Sequence, residues 1–263
     1  MDDNNLFLKI LEERLGRAQD NYIIGSGDFL TPEQQSKASG YFRGGASRGC
    51  YLYGGYSEAE RRLPLYMPDW TGVKTEADLY EYFAANPEDC PLQILDIKIP
   101  RADKTVLGHR DYLGALMAEG IKREKIGDIL VRQGGAQIIV SRDVGEYLKS
   151  DLTSVGRVFT TSELRDISAV DPGEIKTEDR ELSVSSPRLD NVISSVFGLS
   201  RKAAIEAIGC GLVFVDGVQI QKPDLKLKEE SKIVLRGKGK AIYRGVTGTS
   251  RKGRTYISVT RYI

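Results

Sequence analysis

The chain of 263 residues, 40% hydrophobic and 29% charged, is long enough for two or three small globular domains. No apolar run approaches the roughly 20 residues of a membrane span, and three scattered cysteines with a single histidine exclude a disulfide framework and a Cys/His zinc site. The net charge of +1 conceals a division: residues 188–263 hold 15 Lys and Arg against 6 Asp and Glu, a balance of +9, while residues 1–187 carry −8.

The start, MDDNNLFLKILEERLG, is acidic and then amphipathic, with Leu6, Ile10 and Leu15 near helical spacing. It lacks the basic stretch and long apolar core of a signal peptide, so the protein is expected in the cytoplasm. Residues 1–73 read as an N-terminal α/β segment. LFLKILEERLGRAQD and TPEQQSKAS are helices, the second capped by Thr31 with Pro32 in its first turn. RGCYLYGGY is a strand and SEAERR a helix. The Gly- and Tyr-rich YFRGGASRGCYLYGGY, with Arg43 and Arg48, matches neither a Walker loop nor a dinucleotide fingerprint. It reads as a phosphate contact or as a plain turn.

Residues 74–167 form the expected middle domain. PLQILDIKIP is a strand. GHRDYLGALMAEG is a helix with Tyr112, Leu113, Leu116 and Met117 on one face and Gly120 as its stop. KIGDILVR and AQIIVS are strands joined by a hairpin at Gln133-Gly134-Gly135. RDVGEYLKSDL is a helix and GRVFTT the last strand. The order β-α-β-β-α-β is that of the ferredoxin-like plait. RNA-recognition modules share that frame and stack bases on aromatics of the third strand, yet AQIIVS has none. The domain therefore touches RNA by other means or serves as a scaffold or ribosome-docking surface.

A linker is expected at 168–186, in the polar, acidic SAVDPGEIKTEDRELSVSSP, and a basic domain from 187 to 263. Ser185 or Ser186 is the expected cap of a helix with Pro187 in its first turn. Leu189, Val192, Ile193 and Val196 form its apolar stripe and Gly198 ends it. Ser200 caps a second helix, with Ala204, Ile205 and Ile208 inward. LVFV, an Asp216-Gly217 turn, VQI and SKIVLRGKG make a small sheet. Cations at a helix start oppose the dipole, yet Arg201 and Lys202 stand there. A phosphate explains them, because free amides and a partial positive charge at a helix start suit an anion. Arg188 at the neighbouring helix start converges on the same place, and Lys222, Arg236, Lys238 and Lys240 extend the patch. In the last residues, two strand-like runs flank TGTSRKGR. Ile257, Val259 and Ile263 share one parity, Tyr256 and Tyr262 the other, and Arg251, Lys252 and Arg254 form a basic tip for an RNA backbone.

Residues 188–239 resemble the small RNA-binding domain named after ribosomal protein S-four, through R-L-D, S-R-x-x-A, G-x-V-x-V-x-G with Asp216 where Asn is frequent, K-P and R-G-K-G. The resemblance implies recognition of structured ribosomal RNA or tRNA by Arg188, Ser200, Arg201, Lys202, Lys222 and Arg236. Residues 107–131, LGHRDYLGALMAEGIKREKIGDILV, resemble the bacterial YlmH family, found beside cell-division genes. That resemblance implies an N-terminal region, a plait-like middle domain, a C-terminal RNA-binding domain and association with the ribosome, related small proteins acting on large subunits that carry stalled peptidyl-tRNA. The expectation is an α+β, non-catalytic, monomeric RNA-binding factor of the bacterial ribosome without a cofactor. Two alternatives stay open, a division-related adaptor and an RNA-modifying enzyme of the pseudouridine synthase or methyltransferase type with its site in residues 1–165. Against the enzyme, RLD at 188–190 lacks the stretch that follows a synthase aspartate, no glycine-rich methyl-donor loop follows a strand, and His109 with Asp111 has no nucleophile nearby.

Overall fold

The computed structural model describes residues 3–43, 48–100, 105–173, 177–250 and 253–262. The chain divides into two compact units, Met1–Gly173 and Glu174–Ile263. Several antiparallel sheets with helices make it a mixed α+β protein. Among the described residues no helix is long and apolar enough to cross a membrane.

The first unit begins with α1 (Asp3–Asp20), β1 (Gly25–Ser26), α2 (Pro32–Arg43), β2 (Cys50–Tyr53), β3 (Leu63–Tyr66) and α3 (Glu76–Ala85). α1 buries Leu11, Leu15 and Ala18, one stripe at helical spacing, against Ala38, Leu52 and Tyr66. Leu6 and Ile10, expected on that stripe, are half exposed. Thr31 caps α2 as expected: its Oγ1 accepts from Gln34 N, and the Gln34 side chain accepts from Thr31 N. The three strands form a sheet in the order β1-β3-β2. Residues 57–62 are turns rather than the expected helix. The amides of Glu60 and Arg61, which a helix would bond internally, donate to the Asp128 carboxylate at 2.7 and 2.9 Å, and Tyr56 OH joins them at 2.9 Å.

There follow β4 (Leu92–Lys98), α4 (His109–Ala118), β5 (Ile126–Arg132), β6 (Gly135–Ser141), α5 (Arg142–Asp151), β7 (Ser154–Val155), β8 (Val158–Phe159) and β9 (Thr161–Arg165). Four of these strands form an antiparallel sheet in the order β5-β6-β4-β9. Leu95, Ile97, Ile138 and Val140 pack with Tyr112, Leu116 and Leu148 of the helices. On the opposite face Leu92, Ile94 and Ile139 pack with Tyr53, Leu63, Leu79 and Phe83. Burial on both faces explains why β6 reads as a continuous apolar run. The shared cluster also crosses the boundary expected at 73/74. Met117, expected inward, is half exposed. The expected last strand, 156–161, is displaced: Val158–Phe159 closes a short hairpin with β7, and the polar TSELR of β9 pairs with β4 instead. As an edge strand β9 is held by backbone bonds and needs little apolar side chain.

The second unit comprises β10 (Thr177–Val184), α6 (Leu189–Phe197), α7 (Arg201–Gly209), β11 (Val213–Val215), β12 (Val218–Gln219), β13 (Ser231–Leu235), β14 (Gly239–Thr249) and β15 (Thr255–Tyr262). The strands make one antiparallel sheet, β10-β15-β14-β13-β11-β12. Its inner face, with Val213, Val215, Ile233, Leu235, Ala241, Tyr243, Ile257 and Val259, packs on Leu189, Val192, Ile193, Val196, Ala204 and Ile208 of the helices. Ile205, expected inward, is half exposed. Asp216 and Gly217 take the positive φ values of 50° and 80° that a two-residue hairpin turn needs. The segment expected as linker contains β10, which pairs with β15 along all eight residues. Its acids escape apolar patterning because it too is an edge.

Two outcomes test these contacts. Asp128→Ala strands three donors and is expected to cost about 2 kcal/mol in urea unfolding. Burial disfavours the charged form of Asp28, but hydrogen bonds from Lys125 and Arg14 outweigh it and hold the carboxyl below its ordinary range. The stability it contributes is therefore present above the unfolded carboxylate pKa and is lost as pH falls through the lower native one. Asp28→Asn is expected to flatten that acid limb in unfolding measured between pH 2 and 6.

Candidate nucleic-acid interface

Arg188 is the N-cap of α6, and Arg201 opens α7. Between them lies Asp190, in the first turn of α6, with no exposed surface. Arg188 Nε donates to its Oδ1 at 3.2 Å and Arg201 Nε to its Oδ2 at 3.1 Å. A buried carboxylate is costly unless paired and hydrogen-bonded, and two guanidiniums supply both. The arginines are 38% and 60% exposed, so their remaining donors face solvent. Lys202 is exposed beside them, and Ser200 Oγ caps α7 by accepting from Ala203 N at 3.1 Å. The cations at this helix start thus have a counter-charge inside the protein, offsetting their conflict with the dipole.

The start of α6 differs from expectation. Its cap is neither Ser185 nor Ser186. Leu189 N donates to Leu225 O at 2.9 Å and Asp190 N to Pro223 O at 3.0 Å. The first amides of α6 are therefore spent on the chain's own carbonyls. The loop that covers them brings the exposed Lys222, and also Lys226, which bridges to Arg188.

The remaining cations do not converge on this place. Arg236 N donates to Leu212 O just beyond the end of α7, so Arg236 and the turn to Lys238 and Lys240 lie towards the other end of that helix, itself about 13 Å long. There the Arg236 guanidinium sits 4.5 Å above the Phe214 ring, and Lys240 Nζ 4.5 Å above Tyr262. Arg254 lies at the far end of β14, roughly 30 Å from Lys240 at strand spacing. It folds back onto β10, donating to Ser183 Oγ at 2.9 Å and Ser183 O at 2.7 Å, instead of projecting as a tip. Arg251 and Lys252 lie outside the described residues. The patch read from the sequence is two groups, of which Arg188, Arg201, Lys202 and Lys222 form the one around Asp190; Arg254, of the separately expected tip, lies apart from both.

A carboxylate between two arginines recurs in the first unit. Asp96 on β4, 1% exposed, lies between Arg132 of β5 and Arg165 of β9, with Arg165 Nε 2.9 Å from Oδ2 and Arg132 Nη2 on Oδ1. Sequence reading missed Asp96, Asp190 as a clamp, and the rings beneath Arg236 and Lys240. The available signal was an acid at a core position of a strand or helix. His109 and Asp111 stand at the start of α4, where the Asp111 carboxylate accepts from Gly108 N at 2.7 Å. Burial pushes the Cys50 and Cys90 thiols up to about 11. Among the described residues no three His, Cys, Asp or Glu are grouped to share a metal.

A family model described as "Putative RNA-binding domain in YlmH" matches residues 86–169. That span holds the Asp96 cluster and none of the cations expected to face RNA. The chain is 31% identical over 244 residues, 92% of its length and 89% of the relative's, to "Ribosome-associated protein quality control protein P2" of Bacillus subtilis strain 168. A solved structure, "Cell division protein ylmH from Streptococcus pneumoniae", aligns at 19% identity with a TM-score of 0.47, covering 65% of this chain and 96% of its own.

Replacing Asp190 tests its role as a clamp. Asp190→Asn removes the buried charge, and the half-exposed arginines return to water, so the expected loss in urea unfolding is about 1–2 kcal/mol rather than the 3–5 of a fully buried pair.

Proposed function

The chain belongs to the YlmH family, and on that footing we propose that it is a non-catalytic RNA-binding factor of the bacterial ribosome. Its substrate is structured ribosomal RNA or tRNA on the large subunit, and its setting is the handling of stalled ribosomes. The observation that carries this reading is the group around Asp190: Arg188 and Arg201 oriented by one buried carboxylate, with Lys202 and Lys222 beside them. Oriented guanidiniums beside exposed lysines suit phosphate oxygens of folded RNA, which fix register without reading sequence. Residues 188–239 take the role of a domain of the ribosomal-protein-S-four type, supported by two short helices set on a small sheet with an Asp-Gly turn. Residues 92–165 take that of a ferredoxin-like plait, supported by the element order from β4 to β9 and the strand order β5-β6-β4-β9. The family match on 86–169 supports a second RNA contact there, away from any aromatic platform. The absence of catalysis is supported by the use of Asp111 as a helix cap and by the burial that pushes the Cys50 and Cys90 thiols up.

Co-sedimentation with ribosomes tests the reading. Arg201→Gln with Lys202→Gln is expected to abolish binding while circular dichroism stays unchanged; Gln is chosen because Glu at 201 would face Asp190. For the wild type, the logarithm of affinity for a ribosomal RNA fragment is expected to fall with the logarithm of salt at a slope of about −3, as three or four phosphates neutralised require. Unchanged sedimentation of the double variant would remove the assignment.

A further inference from the structure

Resting on that reading, we propose that Arg236 is a stacking platform for an unpaired RNA base and not one more phosphate contact. Val213 and Val215 of β11 face the helices, so Phe214 between them points to the sheet's other face. There its ring is only 7% exposed, and the Arg236 guanidinium lies above it, 4.5 Å from the centroid. Arg236 has no ion-pair partner among the described residues. A phosphate contact needs only a mobile charge at the end of a stem. A guanidinium held over a ring is less mobile and less hydrated than one in open water, and its planar, weakly hydrated group remains able to stack. Such a plane accepts a nucleobase that is splayed out of a helix.

The surroundings extend the platform. Phe214 pairs with Val234, Val234 with Lys240, and Lys240 Nζ lies 4.5 Å above Tyr262. This row crosses β11, β13, β14 and β15, so its two cation–ring pairs stand about 14 Å apart at sheet spacing. Lys238 stands beside the row; Lys232 and Asp179 share the next row along the same face, with Ile242 and Thr260 between them, and Glu181 and Glu230 lie beyond. The arrangement gathers positive charge and flat surface at one end of the helix-free face. Groups of this kind bind single-stranded bases in a sequence-tolerant way. The paired regions of the same RNA would rest on the group around Asp190, at the other end of α7.

The test uses the full chain and two RNAs, a blunt 16-base-pair duplex and the same duplex with one bulged 2-aminopurine. The wild type is expected to bind the bulged RNA about tenfold more tightly and to quench its fluorescence. Arg236→Lys keeps the charge but not the plane; it is expected to bind the blunt duplex as the wild type does and to lose both the preference and the quenching. Phe214→Leu should behave likewise, and the ratio between the two RNAs does not depend on how much of the variant is folded. Equal binding of both RNAs by the wild type, or an Arg236→Lys variant that keeps the preference, would overturn the inference alone. Failure of the wild type to bind either RNA would overturn the proposed function and this inference with it.

Discussion

A carboxylate without exposed surface organises the basic face of the second unit. Asp190 accepts from the guanidiniums of Arg188 and Arg201, and its own amide donates to Pro223 O. One residue thus ties the start of α6, the start of α7 and the loop after β12. Taking a charge out of water is unfavourable, and an apolar side chain of similar size would often serve stability as well. What an apolar side chain would not do is hold two guanidiniums by one nitrogen each and turn the remaining donors outward. The electrostatic conflict of cations at a helix start is met by an anion on the neighbouring helix.

Asp96 also stands between two arginines, on a strand where one expects only packing, but only its Oδ1 accepts a hydrogen bond. There the carboxylate links β5 and β9 across β4 through Arg132 and Arg165. The rest of that sheet is covered on both sides: α4 and α5 take one face, and the segment before β4 supplies Tyr53, Leu63, Leu79 and Phe83 to the other. A sheet covered in this way has no broad face left for stacking bases, whatever its strand order.

In the C-terminal unit the helices occupy one face of a six-stranded sheet, and the other is free of helices. Cations reach both regions, but in different company. Around Asp190 they are matched to a carboxylate through one guanidinium edge; the Arg236 guanidinium and the Lys240 ammonium lie instead over the rings of Phe214 and Tyr262. The chemical distinction between an edge and a face separates the two groups more sharply than charge does.

The sequence reading found the α-helices of the described residues other than α3, whose Thr75 and Asp78 capping box it passed over, and most strands. Periodic apolar stripes with caps, as at Thr31, Gly198 and Ser200, and turn residues such as Gln133-Gly134 and Asp216-Gly217 act within a few residues of chain. It also marked the basic end and Arg188, Arg201 and Lys202. Only the tertiary structure decided which elements lie at edges, and so made strands of the polar 161–165 and 177–184, because backbone pairing leaves no mark on side-chain composition. Only it turned residues 57–62 from helix to turn, since their amides answer to Asp128, some 70 positions away. It likewise split the patch expected from Arg188 to Lys240 into two. Spacing along the chain reports charge density, whereas the partner of each charge, a buried carboxylate, a ring or a backbone carbonyl, is set by residues distant in sequence.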